Sequence, residues 1–71
     1  MLPAAVECHS GYAYADRPAA LHWQGQRLEI AEILARSRTP QGSQFRVRTA
    51  GGRTFELVYN EATGEWQAAE L

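Results

Sequence analysis

Lysine is missing altogether from these 71 residues, and cysteine and methionine occur once each. A single cysteine cannot close an internal disulfide, which excludes the bridged secreted miniprotein as a class. No apolar run approaches the roughly 20 residues that span a bilayer. The opening Met1-Leu2-Pro3-Ala4-Ala5-Val6 has neither the basic residues nor the long apolar stretch of a secretory signal. The expectation is a cytoplasmic chain with no membrane partner. Charge of one sign is scarce as well. Seven arginines against eight acidic residues leave a net charge of −1, which argues against a strongly basic nucleic-acid module and against an acidic tail. There is no internal repeat and no low-complexity stretch. The length leaves room for one small domain, expected over 1–71 with its ordered part at about 5–70.

What is present is a core. Seven aromatic residues and a dense set of Leu, Ile and Val exclude a disordered chain. Fifteen positions read as interior: Val6, Cys8, Tyr12, Leu21, Trp23, Leu28, Ile30, Ile33, Leu34, Phe45, Val47, Phe55, Leu57, Tyr59 and Trp66. The first four residues, and loops near residues 13–16 and 39–43, read as flexible.

Strand register is the clearest signal. Residues 44–49 and 53–59 both alternate with period two, as half-buried strands do. The three-residue loop Ala50-Gly51-Gly52 sets Val47 opposite Phe55, Phe45 opposite Leu57 and Arg46 opposite Glu56. A slip of one residue would mix the two faces. Gly52 takes the loop position that wants positive φ. A second hairpin is expected around Gly25-Gln26, pairing Trp23 with Leu28, Leu21 with Ile30 and His22 with Glu29. A third sets Tyr59 against Trp66 across the loop Glu61-Ala62-Thr63-Gly64. An opening strand is expected over residues 6–12, and Asp16-Arg17-Pro18 reads as a turn.

Residues 27–36 favour a helix by propensity, with Glu32 and Arg36 as an i,i+4 pair. Strand parity nevertheless holds through Ile30, and one bulge near Ala31-Glu32 returns Ile33 to the core face. The hairpin partner at residues 21–23 decides for a strand. Five or six short antiparallel strands then describe a mainly β fold, a small barrel or roll of which SH3-like is the nearest familiar architecture.

The run from Pro18 to Trp23-Gln24-Gly25-Gln26-Arg27, then Ile30-Ala31-Glu32-Ile33-Leu34, Phe45-Arg46-Val47-Arg48-Thr49, and Phe55-Glu56-Leu57 with Thr63-Gly64-Glu65-Trp66, has a familiar pattern. It resembles a group of small uncharacterised bacterial domains. Some of their relatives resemble segments associated with Y-family polymerase-like DNA-damage proteins. The likeness spans about residues 6–70 and departs at Ser37, where relatives often carry an aromatic, and at the short loop 40–43. It implies a fold and carries no catalytic motif.

Candidate chemistry is sparse. Cys8 and His9 are strand neighbours that point to opposite faces, and His22 lies elsewhere, so no metal site is expected. Glu29 and Glu32 have His22 and Arg36 nearby and read as solvated charges rather than an acid–base pair. Gly51-Gly52 is a turn, without the lysine or the strand-to-helix setting of a phosphate loop. The arginines stand out: Arg36, Arg38, Arg46, Arg48 and Arg53 fall in residues 36–53, where no acid occurs, whereas 54–71 hold Glu56, Glu61, Glu65 and Glu70. Alternation places Arg46 and Arg48 on one outward face, and guanidinium forks suit phosphate. Tyr12 and Tyr14, beside Gly11, read as the wall of a peptide groove.

No nucleophile, base and orienting group can be assembled, so the chain is expected to be no enzyme and to use no cofactor. The expectation is a binding or accessory module, monomeric or weakly dimeric, that contacts an unknown protein through Tyr12 and Tyr14 or an exposed strand edge. The alternative is weak binding of a nucleic-acid backbone through Arg36, Arg38, Arg46 and Arg48.

Overall fold

A computed structural model describes residues 1–8 and 17–71. Six antiparallel strands follow one another in chain order: β1 (Leu2–Cys8), β2 (Pro18–Trp23), β3 (Gln26–Thr39), β4 (Gly42–Thr49), β5 (Thr54–Asn60) and β6 (Glu65–Glu70). Each pairs with the next and β1 returns to β6, closing a small barrel. Residues 27–36 are strand throughout. In this respect the hairpin signal outweighs local helix propensity, because cross-strand packing outranks intrinsic preference.

Two strands do double duty. β1 pairs with β6 through Leu2, Pro3 and Ala4, and with β2 from Ala5 onward. β3 pairs with β2 as far as Glu29 and with β4 from Ile30. The register of β3 shifts twice, between Ile30 and Glu32 and again between Ile33 and Ala35. One bulge was expected, and the second has a consequence. It turns Leu34 out of the barrel to 41% exposure, so Leu34 is no core residue.

The β4–β5 register is the expected one, with Val47 opposite Phe55, Phe45 opposite Leu57 and Arg46 opposite Glu56. The β5–β6 hairpin likewise sets Tyr59 against Trp66. The β2–β3 hairpin differs from expectation by two residues. Its turn is Gln24-Gly25, so Leu21 faces Leu28, Trp23 faces Gln26 and His22 faces Arg27. Gln24 and Gly25 both have positive φ, 51° and 82°, as a type I′ turn requires, whereas the expected turn at Gly25-Gln26 asked for only one such residue. A slip of two keeps every side chain on its face, so Leu21, Trp23 and Leu28 still turn toward the core.

Phe55, Leu21, Leu57 and Val47 are the largest fully buried side chains, joined by Trp23, Phe45 and two small residues the sequence reading left out, Ala20 and Ala68. Trp23 meets Phe55 edge-on, with ring centroids 5.2 Å apart. Val6, Leu28, Ile30, Ile33 and Trp66 pack around this cluster as partly buried neighbours. Tyr12 lies outside the described residues. The opening strand starts at Leu2 rather than at residue 6, because Leu2, Pro3 and Ala4 find partners in β6. The loop expected at 39–43 contracts to the pair Pro40-Gln41. Thr39 pairs directly with Gly42, and its Oγ1 accepts a 3.0 Å hydrogen bond from the Gly42 N–H.

Candidate functional site

The arginines are distributed by strand parity. Arg46 and Arg48 on β4 lie outward, Arg46 across from Glu56 with 3.7 Å between Nη2 and Oε1, and Arg48 ion-paired with Glu32 of β3. Arg36 and Arg38 have the opposite parity. They face Phe45 and Ser43, on the side that leads into the barrel, and emerge at its mouth. The Arg36 guanidinium lies 5.5 Å from the centroid of the Phe45 ring, and Arg38 reaches Glu61 at 3.4 Å. The four arginines therefore form no single face, and three of them already hold a carboxylate. Arg53 follows suit, donating to both oxygens of Glu70 at 2.9 and 2.8 Å.

Pairing is general on this surface. Glu7 of β1 accepts from Arg27 Nε at 2.8 Å and Nη2 at 3.1 Å, and its Oε2 lies 2.7 Å from His22 Nε2. Arg27's hydrogen bonds, followed by that of His22, hold the Glu7 carboxyl down at about 2. His22 thus bonds Glu7 and faces Arg27, not Glu29. Glu32 is joined to Arg48 rather than Arg36. Cys8 ends β1 half-buried. His9, Tyr12 and Tyr14 lie outside the described residues, and so does the groove expected beside them. Among the described residues no three His, Cys, Asp or Glu side chains come together as a metal site.

A different surface has the makings of a binding site. Where β1 leaves β6 beyond Ala4, the strands diverge and open a cleft of about 730 Å³, lined by Pro3, Ala4 and Val6 from β1 and by Tyr59, Glu65 and Trp66. The Tyr59 and Trp66 rings lie 5.0 Å apart at 44°, and Trp66 continues onto Phe45 at 5.8 Å. Both are half-buried, so the rings floor the cleft while their edges reach water. Neither the Tyr59 hydroxyl nor the Trp66 indole N–H has a hydrogen-bond partner among the described residues, and neither polar atom is buried.

The turn between β5 and β6 sets this floor. Asn60 Oδ1 accepts from the Ala62 and Thr63 amides at 2.9 and 3.3 Å, its carbonyl accepts from Gly64 at 2.7 Å, and Thr63 Oγ1 accepts from the Glu65 amide at 3.3 Å. The Glu61 N–H donates to the Gln41 carbonyl at 2.8 Å, locking this turn to the one between β3 and β4. From the sequence, Tyr59 and Trp66 are expected as a cross-strand pair with both rings in the core. Their position one step from a turn, each with a polar atom needing a partner, is the signal for a barrel mouth.

No family model, curated protein or solved structure matches this chain.

Proposed function

We propose that this barrel, SH3-like in its build, is a non-catalytic binding module that grips an extended segment of a partner protein in the cleft floored by Tyr59 and Trp66. The observation that carries this reading is that two adjacent aromatic side chains present unpartnered polar atoms to an open, partly apolar cleft. Aromatic rings with a free polar edge give large contact area at low entropic cost, and they are enriched where proteins meet. The pairing of Arg38, Arg46 and Arg48 with carboxylates weighs against a phosphate track as the principal ligand surface. We read the module as a cytoplasmic bacterial domain whose partner is another protein.

Selection of a random peptide library on the intact chain tests this. Selected peptides are expected to shift the Trp66 indole N–H resonance and to bind more weakly to Tyr59→Phe, which keeps the ring and removes the donor. Peptides that bind while leaving that resonance unmoved would place the site elsewhere and end the reading.

A further inference from the structure

Resting on that reading of the cleft, we infer that its ligand is a proline-containing segment in the polyproline II conformation, carrying a basic side chain that meets Glu65. Three features of the cleft lead there.

The first is the ladder. β6 begins at Glu65, and its pairing with β1 starts one residue later, at Trp66. One residue of free edge on β6 is too short for a ligand to add there as a strand, and the unpartnered donors at the cleft belong to the side chains of Tyr59 and Trp66, so recognition is assigned to side chains.

The second is the match of shape and donors. Two tilted rings beside Pro3, Ala4 and Val6 form an apolar, ridged floor. A polyproline II helix is already ordered when free, has no internal hydrogen bonds and displays its carbonyls outward. It therefore offers prolyl rings to the floor and acceptors to the Tyr59 hydroxyl and the Trp66 indole N–H, at little ordering cost. A helical ligand would keep its carbonyls for itself and leave both donors unused.

The third is charge. Among the described residues, Glu65 is the one charged residue lining the cleft. Glu7, Glu32, Glu56, Glu61 and Glu70 all hold an arginine within the chain, whereas Glu65 has no cation partner among the described residues. An unneutralised carboxylate on the rim favours a ligand that brings a positive charge and disfavours an acidic one.

The test titrates the intact, nitrogen-15-labelled chain with a synthetic Pro-x-x-Pro peptide carrying one arginine. Two control peptides replace every proline by alanine, or the arginine by glutamate. The parent peptide is expected to move the Trp66 indole resonance, distinguished from that of Trp23 by Trp66→Phe. It should bind about fivefold more tightly than the glutamate peptide at low salt, as a rim ion pair allows. Glu65→Lys should invert that preference, and the alanine peptide should bind several-fold more weakly than the parent. Equal binding of the proline-free peptide, or an arginine preference that survives Glu65→Lys, overturns this inference and leaves the cleft as a peptide site of other specificity. If neither these peptides nor library-selected ones move the Trp66 resonance of a well-dispersed spectrum, the reading of the cleft falls as well.

Discussion

Glu7 and Arg27 are joined by two hydrogen bonds although they sit on β1 and β3, with β2 between them. The fork passes over β2 and takes in His22, so one carboxylate ties three strands at the surface. Arg27 and His22 hold the Glu7 carboxyl at about 2, below its ordinary 4.5, and Arg53 lowers Glu70 in the same direction. A carboxyl depressed in the folded state stabilises the fold above its unfolded pKa, and that contribution drains away as pH falls toward the folded value. The melting temperature is therefore expected to drop as pH falls from 4.5 toward 2, with a shallower drop in Glu7→Gln. Superimposable acid limbs for the two proteins would show that the triad contributes nothing to stability.

Gln24 occupies left-handed backbone space at φ 51°, a conformation that costs a residue other than glycine, asparagine or aspartate about 1–2 kcal/mol. Asn-Gly is the favoured pair for this turn. Gln24→Asn should stabilise the barrel by about 0.5–1 kcal/mol in denaturant unfolding. A loss of stability would mean that the turn does not have this geometry.

The hairpins were legible in the sequence because period-two alternation, turn glycines and face parity all had to agree at once. With Val47 against Phe55, a slip of one residue would turn one of them out of the core. The Gln24-Gly25 turn was not legible from parity, since a slip of two preserves the faces; only the demand for positive φ at two residues distinguishes it. Leu34 misled because its exposure follows from a second bulge that no local residue announces. The Glu7 network is hidden in the sequence because it joins residues 15 and 20 positions apart over neighbouring strands. Tyr59 and Trp66 were visible as a pair but not as a surface, because strand parity fixes the direction of a side chain and not its depth.

Leu34 and Trp23 separate the observed core from the expected one. Trp23 packs edge-on against fully buried Phe55, so Trp23→Ala should cost about 3–5 kcal/mol, enough to unfold a barrel this small. Leu34→Ala removes a side chain that is 41% exposed and should change stability by no more than about 0.5 kcal/mol. Chemical denaturation of both variants decides the matter. A large loss for Leu34→Ala would restore it to the core and remove the second bulge.

Gly42 is required for packing, not for its backbone angle. A Cβ there would be driven into the Tyr59 carbonyl oxygen and against Glu61, where the backbone is held by the Glu61–Gln41 hydrogen bond. Gly42→Ala should cost about 1–3 kcal/mol, as overpacking does, and should shift the Trp66 indole resonance, because β5 cannot yield without moving the cleft floor. Gly51→Ala is the control: a Cβ there meets only Thr49 Oγ1 at 4.0 Å, and stability should stay within about 0.5 kcal/mol. Equal stability of the two variants would contradict the close approach of β4 and β5 at this end.

Arg46 and Arg48 supply the last test, because exposed ion pairs are cheap to break and either arginine could exchange its carboxylate for a phosphate. If such exchange mattered, a labelled oligonucleotide would bind at low salt, its affinity would fall with a steep salt slope, and Arg46→Ala with Arg48→Ala would flatten that slope by the phosphates they neutralise. The opposed parity of Arg36 and Arg38 limits any outward track to the two β4 arginines, both already facing Glu56 or Glu32. Two paired arginines on a chain of net charge −1 offer little of the counterion release on which backbone binding runs. Fluorescence anisotropy should therefore stay flat for single- and double-stranded oligonucleotides down to low salt, for wild type and the double variant alike. A salt-sensitive rise in the wild type that the double variant loses would put the ligand surface on β4 and away from the Tyr59–Trp66 cleft.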